Sequence, residues 1–393
     1  MGPSIDAGLL SRWMLHKQRL HPRSSEDGIL RVVDDIVALH ATDSLSPYLS
    51  LLARLPGFEK QSLDDLLEKD KRLGKVRFVR KTVHVLTLPL LPVAFAAVKS
   101  LLIPRAEVWL AYLGLSSREY ARLSRRIAGL LAEGGMTAKE VKAELGGEAP
   151  VSAVLNMMCD EGRLVRGLPR KGWKSNLHVY HPWESYFPEI ELSGMSESEA
   201  RERVVRRYLE VFGPVTLKDV TWWTGFSGSD ARSLLKGLEP EVMGCEIRGL
   251  KGEYLVLKEQ WEEMASRSYP EGPVINLLPL LDPLLMGYKE RSRLLRVEHQ
   301  PYVIDRTGNA TSVILVEGEV LGVWDYKVMK DLEVKLHWFD KPASEIRKQA
   351  EAQARAAGRF IAGREVRVRT CARMRPLAER TMGGFMSPLK EES

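Results

Sequence analysis

The chain has 393 residues, 44% of them hydrophobic and 28% charged, with a formal net charge of +6. This length exceeds what one core supports and predicts about two to four domains, and the composition excludes extensive disorder. Three widely spaced cysteines, Cys159, Cys245 and Cys371, exclude a disulfide framework and a CxxC metal knuckle and fit a reducing cytoplasm.

In chain order, the stretch from Met1 to Leu20 carries Asp6, Arg12, His16, Lys17 and Arg19 within its apolar pattern, so it lacks a secretory apolar region. Helices are predicted from Gly28 to Ala41, Pro47 to Leu55 and Leu63 to Asp70, then strands from Val76 to Arg80 and Val83 to Leu88. The most apolar stretch, Val83 to Ile103, contains His84 and is interrupted by Pro89, Pro92 and Lys99, which reads as core and not as a bilayer span.

The middle of the chain repeats itself. Gly135-Met136-Thr137-Ala138-Lys139-Glu140-Val141 matches Pro214-Val215-Thr216-Leu217-Lys218-Asp219-Val220, each with a threonine placed to cap a helix and an acidic residue three positions on. An amphipathic run precedes each threonine, Tyr120 to Leu131 and Val204 to Phe212. A further helix follows each, Val151 to Asp160 and Ser229 to Leu238. Hairpin strands are predicted after these, Leu164 to Leu168 with Leu177 to Tyr180, and Val242 to Ile247 with Tyr254 to Leu257.

From about Tyr269 the pattern turns to strands at Val303 to Asp305, Ser312 to Val316, Val320 to Trp324 and Val366 to Arg369, with a hairpin turn at Gly318 and one helix near Ala343 to Ala357. The expected fold is therefore α+β: three tandem winged helix-turn-helix units (1–113, 114–190 and 191–268) followed by a C-terminal small β-barrel domain (269–393).

In a winged helix the third helix can enter the major groove while the hairpin touches backbone, which makes double-stranded DNA the expected partner. Charge distribution agrees, since basic residues concentrate from Arg163 to Lys174 and from Arg347 to Arg375. The predicted wing holds Arg163, Arg166, Arg170, Lys171, Trp173 and Lys174, a mixture suited to phosphate contact and base stacking, against the plain alternative of a solvated charged hairpin. Trp222 and Trp223 fall at core spacing. Asp282, between prolines, reads as a tie for neighbouring backbone N–H groups.

Four blocks in order carry a resemblance to a known family. They are Ala38-Leu39-His40-Ala41-Thr42 with Ser46-Pro47-Tyr48-Leu49 and Arg54; Arg80-Lys81-Thr82-Val83-His84; Phe212-Gly213-Pro214-Val215-Thr216 with Trp223-Thr224-Gly225; and Leu278-Pro279-Leu280-Leu281-Asp282-Pro283 with Gly287-Tyr288-Lys289-Glu290-Arg291 and Gly322-Val323-Trp324. Over most of its length the chain resembles the bacterial winged-helix DNA glycosylases of the AlkZ and YcaQ type, which release alkylated purines and unhook interstrand crosslinks. The resemblance implies three winged-helix units around a DNA channel and a C-terminal barrel. Within these blocks Arg54, Arg80, Thr82 and His84 are the candidates for facing DNA, Arg54 by holding a phosphate.

The chain departs from that family at one place. His40-Ala41-Thr42 stands where the family has Gln-x-Gln or Gln-x-Asp, side chains understood there to hold the attacking water. Cleaving a base from C1′ passes through a sugar with oxocarbenium character, and an N7-alkylated purine, already cationic, needs little acid assistance. His40 is therefore expected to accept a proton from water, Thr42 to orient it, and Asp43 to raise the His40 pKa or stabilise the cation.

The residues alone leave plainer readings open. His40 is equally read as a helix-end histidine bonded to backbone, Thr42 and Asp43 as caps before an apolar run, and Arg54 as a surface or ion-paired residue. Thr82 and His84 share one face of a strand, either joining His40 or packing beneath the wing.

No Walker-type loop, HExxH or GxSxG is present, so nothing in the sequence calls for a cofactor or metal. The expectation is a monomer in the cytoplasm, associated with the nucleoid, without a membrane or obligate protein partner. The alternatives are a noncatalytic DNA-binding regulator, in which the His-Ala-Thr substitution marks loss of chemistry, and a DNA-structure or partner-binding scaffold.

Overall fold

The computed structural model describes residues 3–23, 28–147, 150–270, 272–327 and 332–377; the end of the expected barrel domain, 378–393, lies outside the described residues. The chain divides into two compact units. Unit I comprises Met1–Gly28, Tyr48–Phe58 and Tyr208–Ser393, and unit II comprises Ile29–Pro47 and Glu59–Arg207. Both mix helices with small sheets, so the fold is α+β. Among the described residues no helix is long and apolar enough to cross a membrane.

Unit II holds two three-stranded antiparallel sheets. In the first, Val83–Thr87 lies between Leu39–His40 and Leu73–Arg77. The expected helix reaching Ala41 stops early: helix Ile29–Asp35 ends before Val37, whose left-handed φ of 70° turns the chain out of the helix, and Leu39–His40 becomes an added strand. In the second sheet, His178–Pro182 lies between Met136–Thr137 and Leu164–Pro169.

Around this second sheet the predicted repeat has a clear local basis. Helix Ser117–Leu131 is opened by a capping box of Ser116 and Glu119, and helix Ala138–Glu144 by one of Thr137 and Glu140. With helix Val151–Asp160 they enclose Ile127, Leu131, Val141, Val154, Leu155 and Met158, all fully buried. Truncating Ile127, Leu131, Leu155 or Met158 to alanine would cost about 2–5 kcal/mol.

In unit I, Ser4–Ile5 pairs parallel with Val242–Ile247, which pairs antiparallel with Tyr254–Leu257. Helix Leu217–Thr224 starts with the capping box of Thr216 and Asp219, and Gly225 at φ 76° closes it. Trp223 is buried against Tyr208, with ring centroids 4.6 Å apart, so it belongs to the core as its spacing indicated. Trp222 is half-buried, with the Arg291 guanidinium 4.8 Å from its ring.

The expected C-terminal barrel is not formed among the described residues. Strands Ile275–Leu278, Val313–Val316, Glu319–Lys327, Glu333–Trp338 and Arg367–Thr370 make one five-stranded sheet whose first and last members are not paired with each other. The last two strands run parallel, and helix Ser344–Ala362 makes the crossover a parallel pair requires. Its buried Ala350, Ala354, Ala357 and Gly358 admit close approach to the sheet, covering it where a barrel would close on itself. Residues Val303 to Asp305 also differ from expectation: Pro301 suits a first helical turn, and Gln300–Val303 is a short helix.

Gly322, in the family-like Gly322-Val323-Trp324 motif, sits where a Cβ would come within 2.3 Å of the His337 carbonyl oxygen across the pair. Gly322→Ala is expected to destabilise the fold by about 1–3 kcal/mol or more, because backbone must move. Gly244→Ala, on an open strand position, serves as the control; equal melting temperatures for the two variants would contradict this.

Candidate functional site

The site is built on the first sheet of unit II. Register places His40 directly opposite His84, and opposed residues of an antiparallel pair project to the same face. Their rings lie 4.8 Å apart between centroids, tilted by 57°, and both residues are buried. Phe78 backs His84 edge-on at 6.0 Å.

The turn joining Leu73–Arg77 to Val83–Thr87 is Val79–Lys81, in which Arg80 and Lys81 both adopt left-handed φ, 54° and 60°. Each costs roughly 1–2 kcal/mol for an L-residue. The turn is held by Phe78 N–H donating to the Thr82 carbonyl (3.0 Å), Lys81 N–H to the Phe78 carbonyl (3.0 Å) and the Thr82 hydroxyl to the Val79 carbonyl (3.2 Å). Strain held in place beside two buried histidines is the pattern of a site whose geometry matters.

Hydrogen bonds assign the tautomers. His84 Nδ1 lies 2.9 Å from the Thr82 carbonyl oxygen, which can only accept, so Nδ1 carries the proton and Nε2 keeps its lone pair. His40 Nδ1 accepts from the Thr42 backbone N–H at 3.4 Å, which puts the proton of the neutral ring on Nε2. Neither Nε2 makes a hydrogen bond among the described residues. One donor and one acceptor nitrogen therefore stand side by side.

Both rings are held neutral. Burial lowers the His40 pKa well below its ordinary value, and the charges of His84 and Arg80 lower it further. Burial also brings His84 down to about 4, with the Thr82 carbonyl working the other way and Arg80 adding to the depression. The expected raising of the His40 pKa by Asp43 is thus corrected, because burial and the charges of His84 and Arg80 all lower it.

Asp43 is half-buried and its Oδ2 accepts from the backbone N–H groups of Leu45 (3.1 Å) and Ser46 (2.8 Å) and from the Ser46 hydroxyl (2.9 Å), so it caps the following turn. Its Oδ1 makes none of these bonds. Thr42 is exposed, and its hydroxyl has no hydrogen bond among the described residues.

Of the other candidates, Thr82, Arg80 and His84 come together with His40, whereas Arg54 does not join them. It lies in unit I with no exposed side-chain area, and a bidentate pair with Asp282 (2.8 and 2.9 Å) plus bonds to the Gln18 and Ser50 carbonyls (2.9 and 3.0 Å) consume its guanidinium. The phosphate role expected of Arg54 is corrected to a structural one. Asp282 also takes the Leu284 N–H and the Ser50 hydroxyl.

The basic hairpin divides similarly. Arg166 is buried in strand Leu164–Pro169 and donates to Asn156 Oδ1 at 2.7 Å, so its expected DNA contact is corrected as well. Arg163, in the turn before the strand, pairs with Glu161 at 3.3 Å. Arg170, exposed, bonds the Gly135 carbonyl and Glu140. Lys171 and Lys174 are exposed, and half-buried Trp173 has the ammonium groups of Lys60 and Lys174 each 5.5 Å from its ring.

Sequence reasoning missed a cavity bordered by the strained turn. Arg80, Lys81 and Thr82 form one wall of a cavity of about 760 Å³ whose other wall is the far end of helix Leu90–Tyr112. The available signal was Trp109 and Tyr112, spaced three apart beyond Pro104, where the core reading stopped.

Comparison with known proteins then gives three matches. The model of the family described as DNA glycosylase AlkZ-like matches residues 33–360. A curated relative, the interstrand DNA cross-link repair glycosylase of Streptomyces sahachiroi, is 25% identical over 370 residues, covering 88% of this chain and 95% of its own. The solved structure of the Streptomyces sahachiroi DNA glycosylase AlkZ is similar with a TM-score of 0.74 at 22% identity, covering 93% of this chain and 100% of that one.

Proposed function

The chain belongs to the DNA glycosylase AlkZ-like family, and on that premise we propose that it hydrolyses the N-glycosidic bond of alkylated or bulky purines in duplex DNA. The observation that carries this reading is the family match over residues 33–360, which spans the whole histidine-bearing sheet and its strained turn. Repair of interstrand crosslinks, the role named for the Streptomyces sahachiroi relative, would extend the same cleavage to a base tethered across two strands.

The chemistry asks for a water held beside C1′ and a proton acceptor for it. Nε2 of His84 supplies the acceptor and Nε2–H of His40 the donor that orients the water; the Thr42 hydroxyl completes its positioning. Oδ1 of Asp43 faces the positive charge that develops on the sugar. Because an N7-alkylated purine leaves without needing a strong acid, two neutral imidazoles suffice.

Segments 1–113, 114–190 and 191–268 act as tandem winged-helix units, a reading supported in the second by the order of three helices and a hairpin. Arg80 and the exposed Arg163, Arg170, Lys171 and Lys174, with Trp173, hold the duplex backbone of a protein acting as a monomer. Such contacts give binding that weakens steeply with salt and ignores sequence.

A duplex bearing one N7-methylguanine, incubated with the protein and treated with alkali, is expected to break at that position. Strands left intact by protein that binds them tightly would return the chain to the noncatalytic reading.

A further inference from the structure

The far end of helix Leu90–Tyr112 exposes an apolar and aromatic face that its own unit leaves uncovered. Val108 is 72% exposed, Trp109 53% and Tyr112 78%. The two aromatic rings stack on each other, 5.3 Å between centroids and 20° from parallel, as residues three apart on a helix can. Contiguous apolar area left open to water marks an interaction site more often than chance exposure.

The charges lining the cavity beside this face are of one sign. The cavity it borders, about 760 Å³, is lined by Arg77, Arg80, Lys81 and Arg105, with no Asp or Glu in its walls. Arg77 is tied to buried Asp160 at 2.8 Å, but the side chains of Lys81 and Arg105 make no ion pair or hydrogen bond among the described residues. The volume falls within the roughly 300–1,000 Å³ typical of ligand sites.

We infer that this cavity is a binding site for an unpaired nucleotide of DNA, whose base stacks on the Trp109 and Tyr112 face while Lys81 and Arg105 hold its phosphates. A base inside a duplex has both faces covered, so only a nucleotide out of the stack can offer one to this aromatic pair. A polyanion with planar apolar rings matches both features of the wall, whereas an apolar protein partner leaves the cations unanswered. The strained turn that precedes the His84 strand supplies Arg80, Lys81 and Thr82 to the cavity wall. The inference rests on the DNA-binding reading and adds to it the strand feature that is recognised.

The test is fluorescence anisotropy with two labelled duplexes of one sequence, fully paired or with a single bulged nucleotide. The protein is expected to prefer the bulged duplex, and Trp109→Ala/Tyr112→Ala to bind that duplex about tenfold more weakly with little change for the paired one. Trp109→Phe, which keeps an aromatic face, retains the preference. Both side chains being exposed, the melting temperature should not move.

Unchanged binding of both duplexes by the double variant overturns the inference, as does equal weakening of both. So does a self-association of the wild type that the double variant abolishes, which would assign the face to a second copy. If the wild type excises N7-methylguanine yet shows no bulge preference, this inference alone fails; if it neither binds nor cuts, the proposed function fails with it.

Discussion

His84→Ala is expected to slow excision of N7-methylguanine by about 10²–10⁴-fold, the range over which a positioned base contributes, while duplex binding is retained. The argument runs through one atom. Thr82 fixes the proton on Nδ1, so Nε2 is the acceptor, and a pKa near 4 keeps that lone pair available at neutral pH. His40 contributes the neighbouring donor, so His40→Ala should cost less, about tenfold, the worth of one hydrogen bond to the water. His40→Gln puts an amide donor in its place, the side chain the family resemblance implies there, and should recover most of that loss. Equal rates for wild type and His84→Ala, with excision intact, would remove His84 from the chemistry.

The second large effect concerns the fold. Arg54→Met is expected to lower stability by about 3–5 kcal/mol, because it strands the Asp282 carboxylate in a site with no exposed area. Arg54→Lys should fall well short of rescue: an ammonium cannot make the bidentate pair and still reach the Gln18 and Ser50 carbonyls. Replacing both partners, as Arg54→Met/Asp282→Leu, should cost less than the single Arg54→Met, since no charge is then left buried alone. Thermal melting of the four proteins checks the order. A Met variant as stable as the wild type would mean that the pair contributes nothing.

What the sequence discloses here follows the range of the interaction involved. The Thr137 and Thr216 caps bond residues three positions away, and both helices start where the pattern put them. Hairpin strands Val242–Ile247 and Tyr254–Leu257 were likewise legible from alternation and a near turn. By contrast, the facing of His40 and His84 depends on a two-residue strand pairing across 44 positions, and a helix pattern running to Ala41 concealed it. The sequence left Arg54 between an ion pair and a phosphate contact because the partner that decides, Asp282, is 228 residues away. The barrel was misread because strand alternation is the same in a closed and an open sheet, and only the parallel last pair, spanned by Ser344–Ala362, decides between them. Local chemistry at the site was visible as residue types; which nitrogen donates and which accepts was not, because tautomers are set by backbone carbonyls and amides brought in by folding.

The pH dependence of single-turnover excision, corrected for spontaneous loss of the base, bears most directly on the claim that two neutral imidazoles handle the water. Burial lowers His84 to about 4 and His40 well below its ordinary value, so the rate is predicted to stay flat from about pH 9 down through the ordinary histidine range and to fall as pH approaches 4. Loss of rate already setting in near the ordinary histidine pKa of about 6.5, or no excision at any pH, would contradict it.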